Sequence, residues 1–143
     1  MKKISSIIIM MMLIQALVSC QDEKKEESIR GIKRVGSVTG IKPDKIEYYK
    51  KLHAKAWPGV LKKLKECNIR NYSIFFQRIE DKYFLFSYFE YIGVDFDKDM
   101  KKMAADKITQ RWWKETDPTQ IPLPEAASKN KVWTNMEEVF HIN

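Results

Sequence analysis

The chain has 143 residues, 44% hydrophobic and 31% charged, with five glycines and five prolines; this is the makeup of one globular domain, too short for two and unlike a collagen-like or low-complexity chain. Two cysteines exclude a disulfide scaffold and a four-cysteine zinc site. The 26 basic and 19 acidic side chains give a formal charge of +7, a balance that by itself points to nucleic acid or an anionic membrane surface.

The amino terminus changes that reading. Lys2 and Lys3 precede an uncharged run from Ile7 through Ile14, and Leu17-Val18-Ser19-Cys20 follows, so residues 1–19 read as a secretory signal peptide. The run is shorter than the ~20 apolar residues a bilayer span requires. Leu17 to Cys20 resemble a bacterial lipobox, in which the cysteine is lipidated and becomes the mature amino terminus. The alternative for Cys20 is an ordinary free or disulfide-bonded thiol. With Cys20 acylated, Cys67 has no intramolecular partner and is expected to be a packed, unoxidised thiol. Removing residues 1–19 leaves 24 basic against 19 acidic side chains, and nucleic acid is not expected as a partner of an exported, tethered protein. Residues 20–31, charged and mixed in sign, read as a tether, with the folded domain over residues 32–143. The expected location is that of an exported lipoprotein, anchored to membrane through Cys20 in the periplasm or at the cell surface.

Within the domain, Lys33 to Ile41 is rich in Val, Ser and Thr and predicts a strand, and Pro43 stands near the first turn of a helix. Along that helix Ile46, Tyr49, His53, Ala56 or Trp57, Val60 and Leu64 recur at three- and four-residue spacings, with lysines around the rest of the wheel. Pro58 interrupts the pattern and predicts a kink or break after Trp57. Asn71–Ile79 alternates Tyr72, Ile74 and Phe76 against Ser73, Phe75 and Gln77; with Tyr83–Tyr91 beyond Glu80-Asp81-Lys82 it predicts an antiparallel hairpin, aromatic on both faces. Residues 95–115 read as a helix bearing Met100, Met103, Ala104, Ile108 and Trp112, ended by Asp117-Pro118. Thr119–Lys131 reads as a loop, and Val139, Phe140 and Ile142 mark a last strand. This strand, helix, strand, strand, helix, strand order is the ferredoxin-like βαββαβ arrangement of an α+β domain.

No Gly-rich phosphate loop, His-Glu-x-x-His pair or Cys-x-x-Cys pair is present. The candidate chemistry is histidine with aromatics. His53 lies on the apolar stripe with Tyr49 one turn before and Trp57 one turn after, on one side of the helix. A histidine in such a place is usually a satisfied core residue. An imidazole titrating near 6.5 nevertheless both gives and accepts a proton at neutral pH, and suits a reaction needing acid and base steps together. Trp112 and Trp113, about 100 degrees apart on a helix, cannot both sit fully in the core. Their second role is either an interface or a sugar platform, because an indole face covers the C–H side of a pyranose. His141 reads as structural, and no carboxylate spacing singles out a glycosidase pair.

Tyr49-x-x-x-His53-x-x-x-Trp57-Pro58, Asn71-Tyr72-x-Ile74, Gln110-Arg111-Trp112-Trp113 and Glu138-Val139-Phe140 stand in this order at domain-scale spacing. From about Arg34 to Ile142 the chain resembles the L-rhamnose mutarotase family. That resemblance implies a ferredoxin-like dimeric α/β barrel, so that residues 32–143 form a mutarotase-like domain and pair as a homodimer. It implies interconversion of the α and β anomers of L-rhamnose or a related deoxy-sugar, with no metal or other cofactor. It also implies His53 as proton donor and Tyr49, Tyr72, Trp112 and Trp113 as substrate contacts. Two other readings stay open: a lipid-anchored sugar-binding module without turnover, and an oxidative enzyme of the same fold carrying haem or an aromatic substrate.

Overall fold

The structure is a computed structural model that describes residues 31–142. The expected signal peptide, Cys20 and all but the last residue of the tether lie outside the described residues.

β1 (Lys33–Ile41) is the central strand. On one edge it pairs antiparallel with β3 (Lys82–Tyr91), from Lys33 opposite Tyr91 to Gly40 opposite Phe84. β3 pairs in turn with β2 (Ile69–Ile79), and Glu80 takes the positive φ of 55° that the tight connection requires. The other edge of β1 is shared by β4 (Gln120–Ile121) opposite Ile41 and Gly40, and β5 (Thr134–Met136) opposite Val38 to Gly36. Gly40 is required at this point, since a Cβ there would stand 2.9 Å from the carbonyl oxygen of Ile121. The strand order β2-β3-β1-β4, antiparallel throughout, is consistent with the expected ferredoxin-like α+β arrangement.

The helices fall where sequence chemistry starts and stops them. A 3₁₀ turn over Pro43–Lys45 leads into α1 (Ile46–Ala54), and α2 (Pro58–Glu66) begins afresh with Pro58 in its first turn. Proline confines the residue before it to extended backbone, and Trp57 has φ −64° and ψ 132°. The expected break after Trp57 is therefore present, with α1 already ended at Ala54. The helix expected over residues 95–115 is two helices, α3 (Phe96–Ala104) and α4 (Lys107–Thr116). Asp106 divides them. Its extended backbone and its carboxylate, which accepts from the Thr109 N–H at 2.9 Å and the Thr109 hydroxyl at 3.0 Å, form an N-cap in the middle of the apolar pattern.

The segment expected as a loop over Thr119–Lys131 contains β4 and a short helix α5 (Pro124–Ala127). The fourth strand position of the sheet is thus one line along β1, broken by an excursion over residues 122–133. The last strand is also displaced from its expected place. Pairing stops at Met136, and Val139, Phe140 and Ile142 are irregular residues, 76–89% exposed, not strand. No described element covers these side chains, while Glu138 ties the segment to β1 by accepting from Arg34 Nε at 2.7 Å.

Two apolar clusters join helices to sheet. Ile41, Tyr49 and Leu85 pack with Ile46, Ile74, Tyr83 and Trp133, and Cys67, Ile69 and Met103 pack with Leu64, Phe89, Met100 and Trp113. Cys67 is fully buried as a free thiol, in agreement with its expected packing role. Among the described residues no helix is long and apolar enough to cross a membrane.

Candidate active site

Between the helices and one face of the sheet lies a cavity of about 1050 Å³, at the upper end of the range for small-molecule sites. Its floor is the alternate residues that the pleat turns to this face: Val35, Ser37 and Ile41 from β1, Tyr72, Ile74 and Phe76 from β2, and Leu85, Ser87 and Phe89 from β3. Its roof is the apolar stripe read from the sequence, Ile46, Tyr49, His53, Ala56, Val60 and Leu64, continued by Trp112 and Trp113 of α4. All five sequence-predicted contact residues, His53, Tyr49, Tyr72, Trp112 and Trp113, therefore line one space. Trp57 does not. It starts α2 instead of continuing α1, and packs edge-on behind Trp112 at 5.4 Å, under the Arg111 guanidinium. His141 also lies outside the cavity wall, beside Glu138 at 3.8 Å.

His53 is held on three sides. Its Nδ1 lies 3.0 Å from the Tyr49 carbonyl, one helical turn back; a carbonyl only accepts, so Nδ1 carries the proton and Nε2 carries the lone pair. The ring stacks on Tyr49 at 4.1 Å and meets the edge of Trp112 at 5.1 Å. Burial lowers the imidazole below its ordinary 6.5, against a smaller opposing effect of the bond to Tyr49. At neutral pH the group is thus a neutral base with one free nitrogen.

The two tyrosines arrive by different routes. Tyr49 is 5% exposed, and burial pushes its phenol far above the usual range, with further upward contributions from Tyr72 and Asp117 nearby. Tyr72 is exposed along part of its ring, but its hydroxyl end is buried and is pushed up to about 12. Both phenols are therefore proton-bearing donors across the physiological range. Tyr72 stands at a bulge: the register jumps between Arg70 and Ser73, setting Asn71 and Tyr72 against Phe89 alone. Asn71 takes φ 49° there, a conformation asparagine tolerates, and its side chain bonds the Glu90 carboxylate. The ring of Tyr72 then meets Phe89 edge-on at 5.5 Å.

Trp112 is buried, whereas Trp113 is half-buried and packs on the Cys67 cluster, so the adjacent indoles divide as their angular separation requires. At the mouth Lys50 lies 4.9 Å over Phe76.

Two lining residues escaped the sequence reading. In the sequence Asp117 marks only a helix stop. Its carboxyl is raised by burial, partly offset by the Thr116 hydroxyl at 3.5 Å. A carboxylate at a helix C-terminus opposes the helix dipole, and that misfit is the signal that singles it out. Gln120, in the segment read as a loop, is 5% exposed and also lines the cavity. Among the described residues no cluster of His, Cys, Asp and Glu is arranged to hold a metal ion.

An α+β shell enclosing a neutral histidine, two protonated phenols and an indole wall defines a pocket for acid–base chemistry on a small polyhydroxylated molecule. Comparison with known proteins is more specific: residues 34–142 match the L-rhamnose mutarotase family, and the chain belongs to that family. It is 32% identical over 112 residues to the L-rhamnose mutarotase of Oceanobacillus iheyensis, covering 78% of this chain and all of that one. Identity to the Bacillus subtilis protein of the same name is 33% over 113 residues, again 78% of this chain and all of the relative. The crystal structure of an L-rhamnose mutarotase from Formosa agariphila shares the fold, with a TM-score of 0.57 at 24% identity over 78% of this chain and 99% of that one.

Proposed function

We propose that the protein is an isomerase that interconverts the α and β anomers of L-rhamnose, with His53 as its proton-transfer group. Ring opening moves the anomeric hydroxyl proton away while the ring oxygen gains one; the C1–O5 bond breaks and C1=O1 forms. O1 and O5 share one carbon. The lone pair on Nε2 takes the O1 proton, and the resulting imidazolium, as proton donor, delivers it to O5. Rotation about C1–C2 and the reverse transfer close the ring on the other face, so the protein ends unchanged. Tyr49 and Tyr72 donate to sugar oxygens, and Trp112 and Trp113 cover the C–H face. The observation that carries this reading is His53 Nδ1 fixed on the Tyr49 carbonyl in a cavity wall of tyrosine and tryptophan, within a chain of this family. The test is proton NMR saturation transfer between L-rhamnose anomers at equilibrium, where the protein is expected to accelerate exchange; a folded protein that leaves the rate at its uncatalysed value refutes the reading.

The assembly and location belong to the same proposal. The exposed side chains of Phe75, Val139, Phe140 and Ile142 are surface that a second copy of the chain would cover, which supports a homodimer readable by light scattering. Residues 1–19 as signal peptide and Cys20 as lipid anchor make the protein an exported lipoprotein acting on sugar outside the inner membrane. A diacylglyceryl mass on Cys20 tests that assignment.

A further inference from the structure

Gln120 is buried to 95% and lines the cavity. Its Nε2 donates to the Thr116 carbonyl at 3.3 Å, while among the described residues no group donates to its Oε1. The orientation is fixed by chemistry: rotating the amide would press Oε1 against a carbonyl oxygen that already accepts from the Thr119 hydroxyl at 2.6 Å. The backbone is fixed as well. Gln120 pairs with Ile41, and the neighbouring Thr119 carbonyl accepts from the Lys42 N–H at 2.9 Å while Lys42 Nζ reaches the Pro118 carbonyl at 2.7 Å. A rigidly placed, buried acceptor without a donor is costly to a fold unless something supplies the donor. Two other polar residues of the cavity lining do not supply it. The Asp117 carboxylate is an acceptor when ionised, and the Ser37 hydroxyl is directed at Asn135 Oδ1 at 3.4 Å.

We infer that Gln120 Oε1 is a specificity-determining acceptor that takes a hydrogen bond from one hydroxyl of the bound sugar. The inference rests on the sugar-binding part of the reading above and is independent of turnover. A site built around a buried acceptor rejects analogues lacking the matching hydroxyl far more strongly than an apolar wall does. Gln120 would thus set which hydroxyl pattern is accepted, at a position apart from the histidine.

The experiment uses the full chain, with sugar affinity read by tryptophan fluorescence, since Trp112 and Trp113 line the same space. Gln120→Met keeps the length and removes the acceptor. It is expected to weaken L-rhamnose binding about tenfold and to leave thermal stability equal or higher, because an unpartnered polar atom has gone. Across a panel of monodeoxy analogues, one analogue is expected to bind wild type and variant with equal affinity, which identifies the hydroxyl concerned. A variant that binds L-rhamnose within twofold of wild type overturns the inference, as does an equal loss on every analogue. A side-chain carbonyl 13C resonance of Gln120 that does not move when sugar saturates the wild-type protein overturns it without any variant. Protein that binds L-rhamnose but leaves anomer exchange unaccelerated refutes the mutarotase reading alone, and the affinity comparison still decides the role of Gln120.

Discussion

Replacing His53 by alanine separates catalysis from folding in this protein. The substitution removes the imidazole proposed to relay the proton, and positioned acid–base groups typically contribute 10²–10⁴-fold, so anomer exchange should slow by about that factor. The structural loss is small by comparison. The bond from Nδ1 to the Tyr49 carbonyl contributes about 1 kcal/mol, and that carbonyl keeps the helical bond from the backbone N–H of residue 53, so no buried acceptor is orphaned. The ring contacts with Tyr49 and Trp112 add roughly 0.5–1.5 kcal/mol. A total near 2 kcal/mol lowers the midpoint of a domain this size by about 10 °C. At 25 °C the variant should therefore be folded, with wild-type near-UV circular dichroism and saturation transfer close to the uncatalysed rate. Free imidazole, able to enter the vacated space, should restore part of the exchange. Wild-type exchange in His53→Ala would refute the relay, and unfolding of the variant at 25 °C would refute the estimate that its structural loss is small.

Four further outcomes follow from the same geometry. Because burial holds His53 below 6.5, the proposed base stays neutral through pH 7: exchange should decline only on acidification, with an apparent midpoint under 6.5, and a midpoint above it would contradict the buried neutral imidazole. The same shift acts on stability: between the lower folded value and 6.5 the unfolded chain binds more protons, so the histidine's contribution to stability falls as pH drops through that window and is level below it; a His53→Ala chain should lack this component in denaturation measured across pH 4–7. Leu85→Ala, at 2% exposure between Ile41 and Tyr49, should cost about 2–5 kcal/mol in urea unfolding, and a cost below 1 kcal/mol would show that cluster to be loosely packed. The Cys67 thiol, buried and raised by burial, should resist a disulfide reagent in the native protein and react on unfolding.

What the sequence displays and what it hides divide along a physical line. Features set by neighbours in the chain are legible. The stripe from Ile46 to Leu64 is a repeat of three and four residues; the alternation Tyr72, Ile74, Phe76 is a repeat of two; Pro58 forces extended backbone on Trp57 whatever surrounds it. Each places a side chain on a face without reference to the rest of the molecule, and those faces together make the roof and floor of the cavity. The N-cap at Asp106 was equally local, but the apolar spacing from Met103 to Trp112 runs through it and masks it.

The fourth strand position is of another kind. Whether residues 120–121 and 134–136 form strand depends on which stretches of β1 they meet, and nothing in Gln120-Ile121 or Thr134-Asn135-Met136 carries that information. Val139, Phe140 and Ile142 have the composition of a strand, yet the described fold offers them no cover. They find no strand partner among the described residues, and the proposed homodimer would supply their cover. For the same physical reason the sequence alone does not single out Asp117 and Gln120. Their side chains are polar in a stretch whose turn residues already account for polarity, and only the sheet edge and α4, brought together by folding, turn them into a wall of the cavity.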